Sequence, residues 1–257
     1  LLKEIIIAIQ SYFKAHEFVK EHKLWRWIFI PGIFYAILFG VSIYFFGKSA
    51  TAVISYLTID TGLQSWLDKL HSSWLGFLFA VGGVVLWLIL MLLYFSLFKY
   101  IWLIIGAPLF VFLSDKTFSI LEGNEYRFDL KKYLTHVARG IRIAILNSLW
   151  QTVYVVSIIF LSLLPIIGWA TPILAVMIEC YYYGFSMIDY SCEGNRMNSA
   201  QATEFISNHK GLAIGNGIIF YLMHFAVIIG WILAPSYAII ASAISMQEFK
   251  FKEIRLH

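Results

Sequence analysis

The chain has 257 residues, 60% of them hydrophobic and 13% charged, with a mean hydropathy of +0.78. A water-facing domain of this size is near half apolar with about a quarter of its residues charged. The composition therefore excludes a soluble enzyme, a disordered chain and a fibrous protein, and the net charge of +4 is too mild to argue for a nucleic-acid partner. The chain reads as an all-α, multispanning integral membrane protein.

In chain order, residues 1–23 are amphipathic. Ile5, Ile9, Tyr12, Phe13 and His16 recur at helical spacing, with Lys3, Lys14 and Lys20 elsewhere on the wheel. This suits a helix along the membrane surface, or one packed on the rest of the protein. No cleavable signal pattern precedes it, and the absence of an initiator Met suggests that the natural chain starts earlier. Residues 27–47 carry no charge, enough to cross a ~30 Å hydrocarbon core at about 1.5 Å per residue. Pro31 falls in the first turns, where its missing N–H does least harm. Residues 48–72 are polar enough to lie outside lipid, with Leu63, Trp66, Leu67 and Leu70 forming a short interfacial stripe.

Residues 74–98 are again uncharged, and apolar character continues to Leu113 with Lys99 as the interruption. The spacing predicts a span over 74–99 that ends with Lys99 and Tyr100 at the headgroups. Residues 104–142 then follow as a segment broken by Gly106 and Pro108 and a polar helix. Two long runs without Lys, Arg, Asp or Glu remain, 143–178 and 211–247. A straight helix of either length is roughly 54 Å, far beyond the hydrocarbon core, so each folds back as a hairpin. The tips are expected at 165–172 and 230–235, marked by proline and glycine and free of charge, and the hairpins enter the membrane partly or fully. A polar segment over 189–210 separates them, and 248–257 is a tail.

If each hairpin returns to the side it left, 16 of the 19 Lys and Arg residues share one face, against two in 48–72. The positive-inside rule makes that face cytoplasmic, with both termini on it.

Few residues advertise chemistry. Gly47-Lys48-Ser49 lacks the earlier glycine of a phosphate loop and ends an apolar helix instead of opening one after a strand. No zinc, nucleophile-elbow or kinase signature occurs, Cys180 and Cys192 fit no metal or redox spacing, and no cofactor is implied. The chain reads as a non-enzyme. Gly211, Gly215 and Gly217 suit close helix packing. Glu179 is the one acid between long apolar stretches, a costly setting that points to function. The alternative sets it near an arm's end, with Tyr181, Tyr182 and Tyr183 as an interface belt. Asn147, Gln151 and Asn216 either line a pore or bond between helices, and His224 reads as internally hydrogen-bonded. Arg26, with Lys23 before it, opens the first span: it anchors at the headgroups or binds an oxyanion bidentately beside a helix N-terminus.

Several segments together resemble the CysZ family, bacterial inner-membrane sulfate permeases related to the etoposide-induced membrane proteins. Leu24-Trp25-Arg26-Trp27, followed by Pro31, resembles its Gly-Leu-Arg-Arg segment; Ala107-Pro108-Leu109 and Leu113-Ser114-Asp115-Lys116 resemble its Pro-containing stretch and polar helix. Ile188-Asp189-Tyr190 resembles its Leu-Asp-Tyr-Pro signature, and residues 204–215 with Ala234-Pro235 resemble its C-terminal hairpin. The resemblance implies two long transmembrane helices plus two partly penetrating hairpins, assembled as a homo-oligomer in the inner membrane. It also implies sulfate uptake feeding cysteine synthesis. In it Arg26 takes the place of the second arginine, Trp25 replaces the first, and Lys23 replaces the glycine. Arg26 and Lys23 are thereby the expected substrate-binding residues, with Asn147, Gln151, Glu179 and Asn216 along the pathway. A non-transporting membrane scaffold is the competing reading.

Overall fold

The computed structural model describes residues 1–56, 73–126, 128–162, 170–195 and 197–254. Within them every regular element is helical: α1 Leu2–Glu21, α2 Trp25–Ser55, α3 Ser73–Leu121, α4 Leu130–Ser162, α5 Thr171–Gly194, α6 Ser199–Asn208, α7 Lys210–Met223 and α8 Ile229–Ile254. This is an all-α membrane protein. Four segments among the described residues are long and apolar enough to cross a bilayer: Trp25–Ser49, Phe98–Leu121, Leu130–Ser162 and Ile229–Phe249.

Amphipathic α1 packs against α7 and α8, burying Ala8, Ser11, Tyr12, Ala15, Phe18 and Val19. Leu2, Ile6 and Phe13 stay exposed on another face, so the helix offers one apolar stripe to the protein and a second to its surroundings. It ends in a turn where Lys23 adopts φ 53° and the Leu24 N–H bonds to the Val19 carbonyl at 3.1 Å. A left-handed residue there is ordinarily glycine, and in this chain Lys23 takes that conformation.

The expected break near Lys99 and Tyr100 is absent, and the break expected at Gly106 and Pro108 is absent too. Helix α3 runs 49 residues through both, with Pro108 inside it. The physical cause is the setting of Lys99, which is 4% exposed and faces Glu179 within the protein. A charge with an internal partner has no need of the headgroups. The boundary expected at residue 143 also moves. Helix α4 starts at Leu130, capped by the Asp129 carboxylate, which accepts from the Lys131 and Lys132 N–H groups at 3.0 and 3.3 Å. The polar segment and the first hairpin arm are one helix. The interfacial stripe over 63–70 and most of the first tip, Pro165 and Gly168 included, lie outside the described residues. Pro172, at the tip's far end, opens α5.

The second tip falls at residues 224–228 and not at 230–235. Pro235 sits inside α8, while the turn is closed by successive backbone bonds from His224, Phe225 and Ala226 to Tyr221, Leu222 and Met223, each 3.0–3.1 Å. Ile228 takes φ 69°, and Gly230 lies so close to the Met223 carbonyl that a Cβ there would collide with it. The Trp231 indole N–H donates to the His224 carbonyl at 3.0 Å. Helix α7 has 14 residues, about 21 Å at 1.5 Å per residue, shorter than the ~30 Å core.

Small residues set the tightest crossing. A Cβ on Gly184 would strike the Ala213 carbonyl and one on Gly217 the Cys180 carbonyl, so α5 and α7 meet backbone to backbone. Gly211 and Gly215 lie against α1 in the same way. Tyr183 stacks on Phe220 with centroids 3.6 Å apart and is fully buried; it belongs to the core and not to an interface belt. The basic segments converge on one end of the molecule. Lys14 pairs with Glu248, the Glu4 carboxylate accepts from the Gly211 N–H at 2.8 Å, and Gln247 donates to the Leu121 carbonyl at 3.2 Å.

Candidate functional site

The site begins with two charges that the sequence places 80 residues apart. Lys99 on α3 and Glu179 on α5 are 4% and 2% exposed, and Lys99 Nζ lies 3.0 Å from Glu179 Oε1. Desolvating both ions costs several kcal/mol each, repaid only when further hydrogen bonds complete the pair. Here they do. Tyr221 on α7 donates to Glu179 Oε1 at 2.7 Å, and the Gln151 amide on α4 donates to Glu179 Oε2. The Gln151 carbonyl oxygen accepts from Lys99 at 2.7 Å and from Tyr100 at 2.6 Å, which fixes the amide with its NH2 toward Glu179.

A cavity of about 460 Å3 adjoins the pair. Lys99, Glu179, Tyr221 and His224 are on its wall beside aromatic side chains such as Phe39 and Trp231. His224 Nδ1 faces its own helix's Phe220 carbonyl at 2.8 Å and so carries the proton, leaving Nε2 to accept from the Tyr35 hydroxyl at 2.9 Å. The histidine is internally bonded, as its setting in the sequence suggested.

Of the expected pathway residues, Gln151 and Glu179 meet here. Asn147 and Asn216 do not join them. Asn147 donates to Ser186 at 3.1 Å, tying α4 to α5. Asn216 donates to the Ala238 carbonyl and Ser242 at 3.0 and 2.8 Å and accepts from Tyr12, tying α7 to α8 and α1. Lys99, Tyr100 and Tyr221 were missed by sequence reasoning. The signal for Lys99 was present: an isolated cation in one apolar run and an isolated anion in another are natural partners.

Arg26 lies apart, exposed in the first turn of α2, with no hydrogen bond or ion pair to the described residues. Lys23 is exposed in the preceding turn. Lys116 places its ammonium 5.0 Å from the centroid of the Trp27 ring, bringing a further cation to this end of α2.

A second charged cluster joins α3, α4 and α5 at the basic end. Arg139 on α4 bonds Asp189 at 3.0 Å and the Met197 carbonyl at 2.6 Å. His136 lies 3.5 Å from Asp115 and 4.0 Å from Glu193. Tyr190 anchors the same junction, donating to the Leu103 carbonyl at 3.1 Å and receiving the Ser114 hydroxyl on its own carbonyl at 3.0 Å. Among the described residues no group of three His, Cys, Asp or Glu side chains converges as a metal site.

A scan against protein families matches residues 11–235 to the family described as sulfate transporter CysZ/etoposide-induced protein 2.4. The chain belongs to this family. A search of curated proteins finds no match. The matched stretch holds Arg26, Lys99, Gln151, Glu179, Tyr221 and the Arg139–Asp189 pair, so both charged clusters described in this subsection lie within the family's region. Asp189 and Tyr190 have a structural task in this chain: Asp189 takes Arg139, and Tyr190 ties α5 to α3.

The carboxylates of the second cluster outnumber its cations, and burial pushes Glu193 up from 4.5 to about 8, helped by Asp189 and Asp115 against the opposing effect of Arg139. Burial likewise raises Asp189, with Arg139 opposing. The folded state therefore holds the Glu193 proton up to about pH 8, whereas the unfolded chain releases it near 4.5. The stability linked to it is complete below the lower value and lost as pH rises through the upper one. Thermal unfolding in detergent should show the midpoint falling as pH rises across this window, and Glu193→Gln should flatten the fall. A Glu193→Gln profile as steep as the parent's would contradict the assignment.

Proposed function

We propose that the protein carries sulfate, or a similar oxyanion, through the bacterial inner membrane by a channel-like or secondary mechanism, supplying sulfur for cysteine synthesis. The observation that carries this reading is the buried Lys99–Glu179 network beside a cavity, in a chain of a sulfate transporter family. Charges at membrane depth are expensive and mark ion pathways by default. A scaffold reading gives this network no task beyond holding helices. The sequence has no nucleotide-hydrolysing motif, so the driving force is a gradient or a partner. Lipid and neighbouring copies of the chain cover the exposed apolar faces of α2 and α4, where Phe34, Ile37, Trp150 and Phe160 point outward. The basic end, with both termini, faces the cytoplasm.

Arg26 binds the anion at that end, with Lys23 beside it. Its guanidinium is uncommitted among the described residues and stands at the start of a long helix, where N–H groups and the dipole favour an anion. A hydrogen bond to a charged group contributes about 1.5–3 kcal/mol, so Arg26→Ala should weaken sulfate binding by roughly one to two orders of magnitude without altering assembly. Arg26→Lys should restore only part of it, because the planar fork is lost. Isothermal titration with sulfate, beside size-exclusion profiles, checks both variants. Parental affinity in Arg26→Ala would reduce Arg26 to an interface anchor.

A further inference from the structure

Glu179 receives more donors than pairing with Lys99 requires. Three helices send one each: Lys99 Nζ from α3 at 3.0 Å, the Gln151 amide from α4, and the Tyr221 hydroxyl from α7 at 2.7 Å. Tyr100 and Lys99 hold the Gln151 carbonyl and so turn its amide inward. A carboxylate is an acceptor-only group with two oxygens, and an oxyanion presents the same face. The cradle is one positive charge and two neutral donors arranged around oxygen. A structural ion pair needs no free space, yet Lys99, Tyr221 and Glu179 all border the 460 Å3 cavity. Glutamate has the rotamer freedom to turn toward that space, whose wall is otherwise largely apolar, with the protons of Tyr35 and His224 already given to His224 Nε2 and the Phe220 carbonyl.

We infer that Glu179 occupies the oxyanion position of a core binding site made by Lys99, Gln151 and Tyr221, and that the transported anion takes its place when the carboxylate turns into the cavity. Glu179 is thus an internal competitor that keeps the cradle filled, and its donors shut, when no anion is present. The inference rests on the transport reading and adds a second anion site to the one at Arg26.

Binding of labelled sulfate to purified protein in detergent tests it at fixed pH. Removing the competitor should tighten binding: Glu179→Gln is expected to bind sulfate about tenfold more tightly than the parent, and Glu179→Asp, which keeps the charge but reaches less far, should shift the same way. In the Glu179→Gln background, Tyr221→Phe should weaken binding about tenfold, since a donor to a charged ligand is lost. A merely structural carboxylate predicts no gain in affinity from any of these changes. Parental or weaker affinity in whichever Glu179 variant elutes as assembled protein overturns the inference. If the parent then still binds sulfate through Arg26, the transport reading stands alone; if neither the parent nor the Glu179 variants bind it, both readings fall.

Discussion

Lys99→Met is expected to destabilise the folded protein by about 3–5 kcal/mol, the cost of leaving one member of a buried ion pair without its partner. Glu179 would keep Tyr221 and Gln151 as donors but lose the one opposite charge paired with it among the described residues, 3.0 Å away. Glu179→Met should cost a similar amount, for the converse reason. The double variant Lys99→Met/Glu179→Met should recover most of the loss, because two apolar side chains of similar volume need no desolvation. It should nevertheless carry no sulfate. Thermal unfolding followed by size exclusion in detergent measures the first effect, and uptake into liposomes the second. A single Lys99→Met variant as stable as the parent would mean that the pair is not closed as described.

Phe225→Asp should reduce assembly by about 2.5–3.5 kcal/mol, the insertion cost of a carboxylate at membrane depth. Phe225 is 82% exposed at the second tip, and Leu222, Val227, Ile228 and Ile229 around it are exposed as well. In water such a cluster would be a liability that a new charge relieves; in lipid the charge has no partner. The control is Phe128→Asp, an equally polar exchange at an exposed phenylalanine on the basic side, expected within about 0.5 kcal/mol of the parent. The yield of monodisperse protein from membranes reads both. Equal yields would place the tip in water and argue for a hairpin that crosses completely.

The apolar runs made the helical membrane fold legible, because uncharged stretches of that length have few alternatives. The family's region was legible through short segments in the right order, from Arg26 to Pro235. What sequence could not supply was pairing across helices. Lys99 looked like a headgroup anchor because its partner, Glu179, is 80 positions away, and no local pattern reports a contact between α3 and α5. The same blindness put the second tip at 230–235. Pro235 is a strong breaker in isolation, yet it is accommodated within α8, while the actual turn is made by backbone bonds at residues 224–226. Tyr183 looked like its two neighbours, Tyr181 and Tyr182, until Phe220 on α7 supplied a stacking surface. Asn147 and Asn216 carried two open readings, and the structure gives both of them helix-to-helix bonds.

Uptake of labelled sulfate by liposomes containing the purified protein tests the transport claim most directly, with chloride and phosphate as competitors and protein-free liposomes as the baseline. Saturable sulfate uptake is expected, which excess chloride leaves in place and Arg26→Ala reduces. Uptake no greater than in protein-free liposomes, from protein that elutes as a single assembled species, would contradict it.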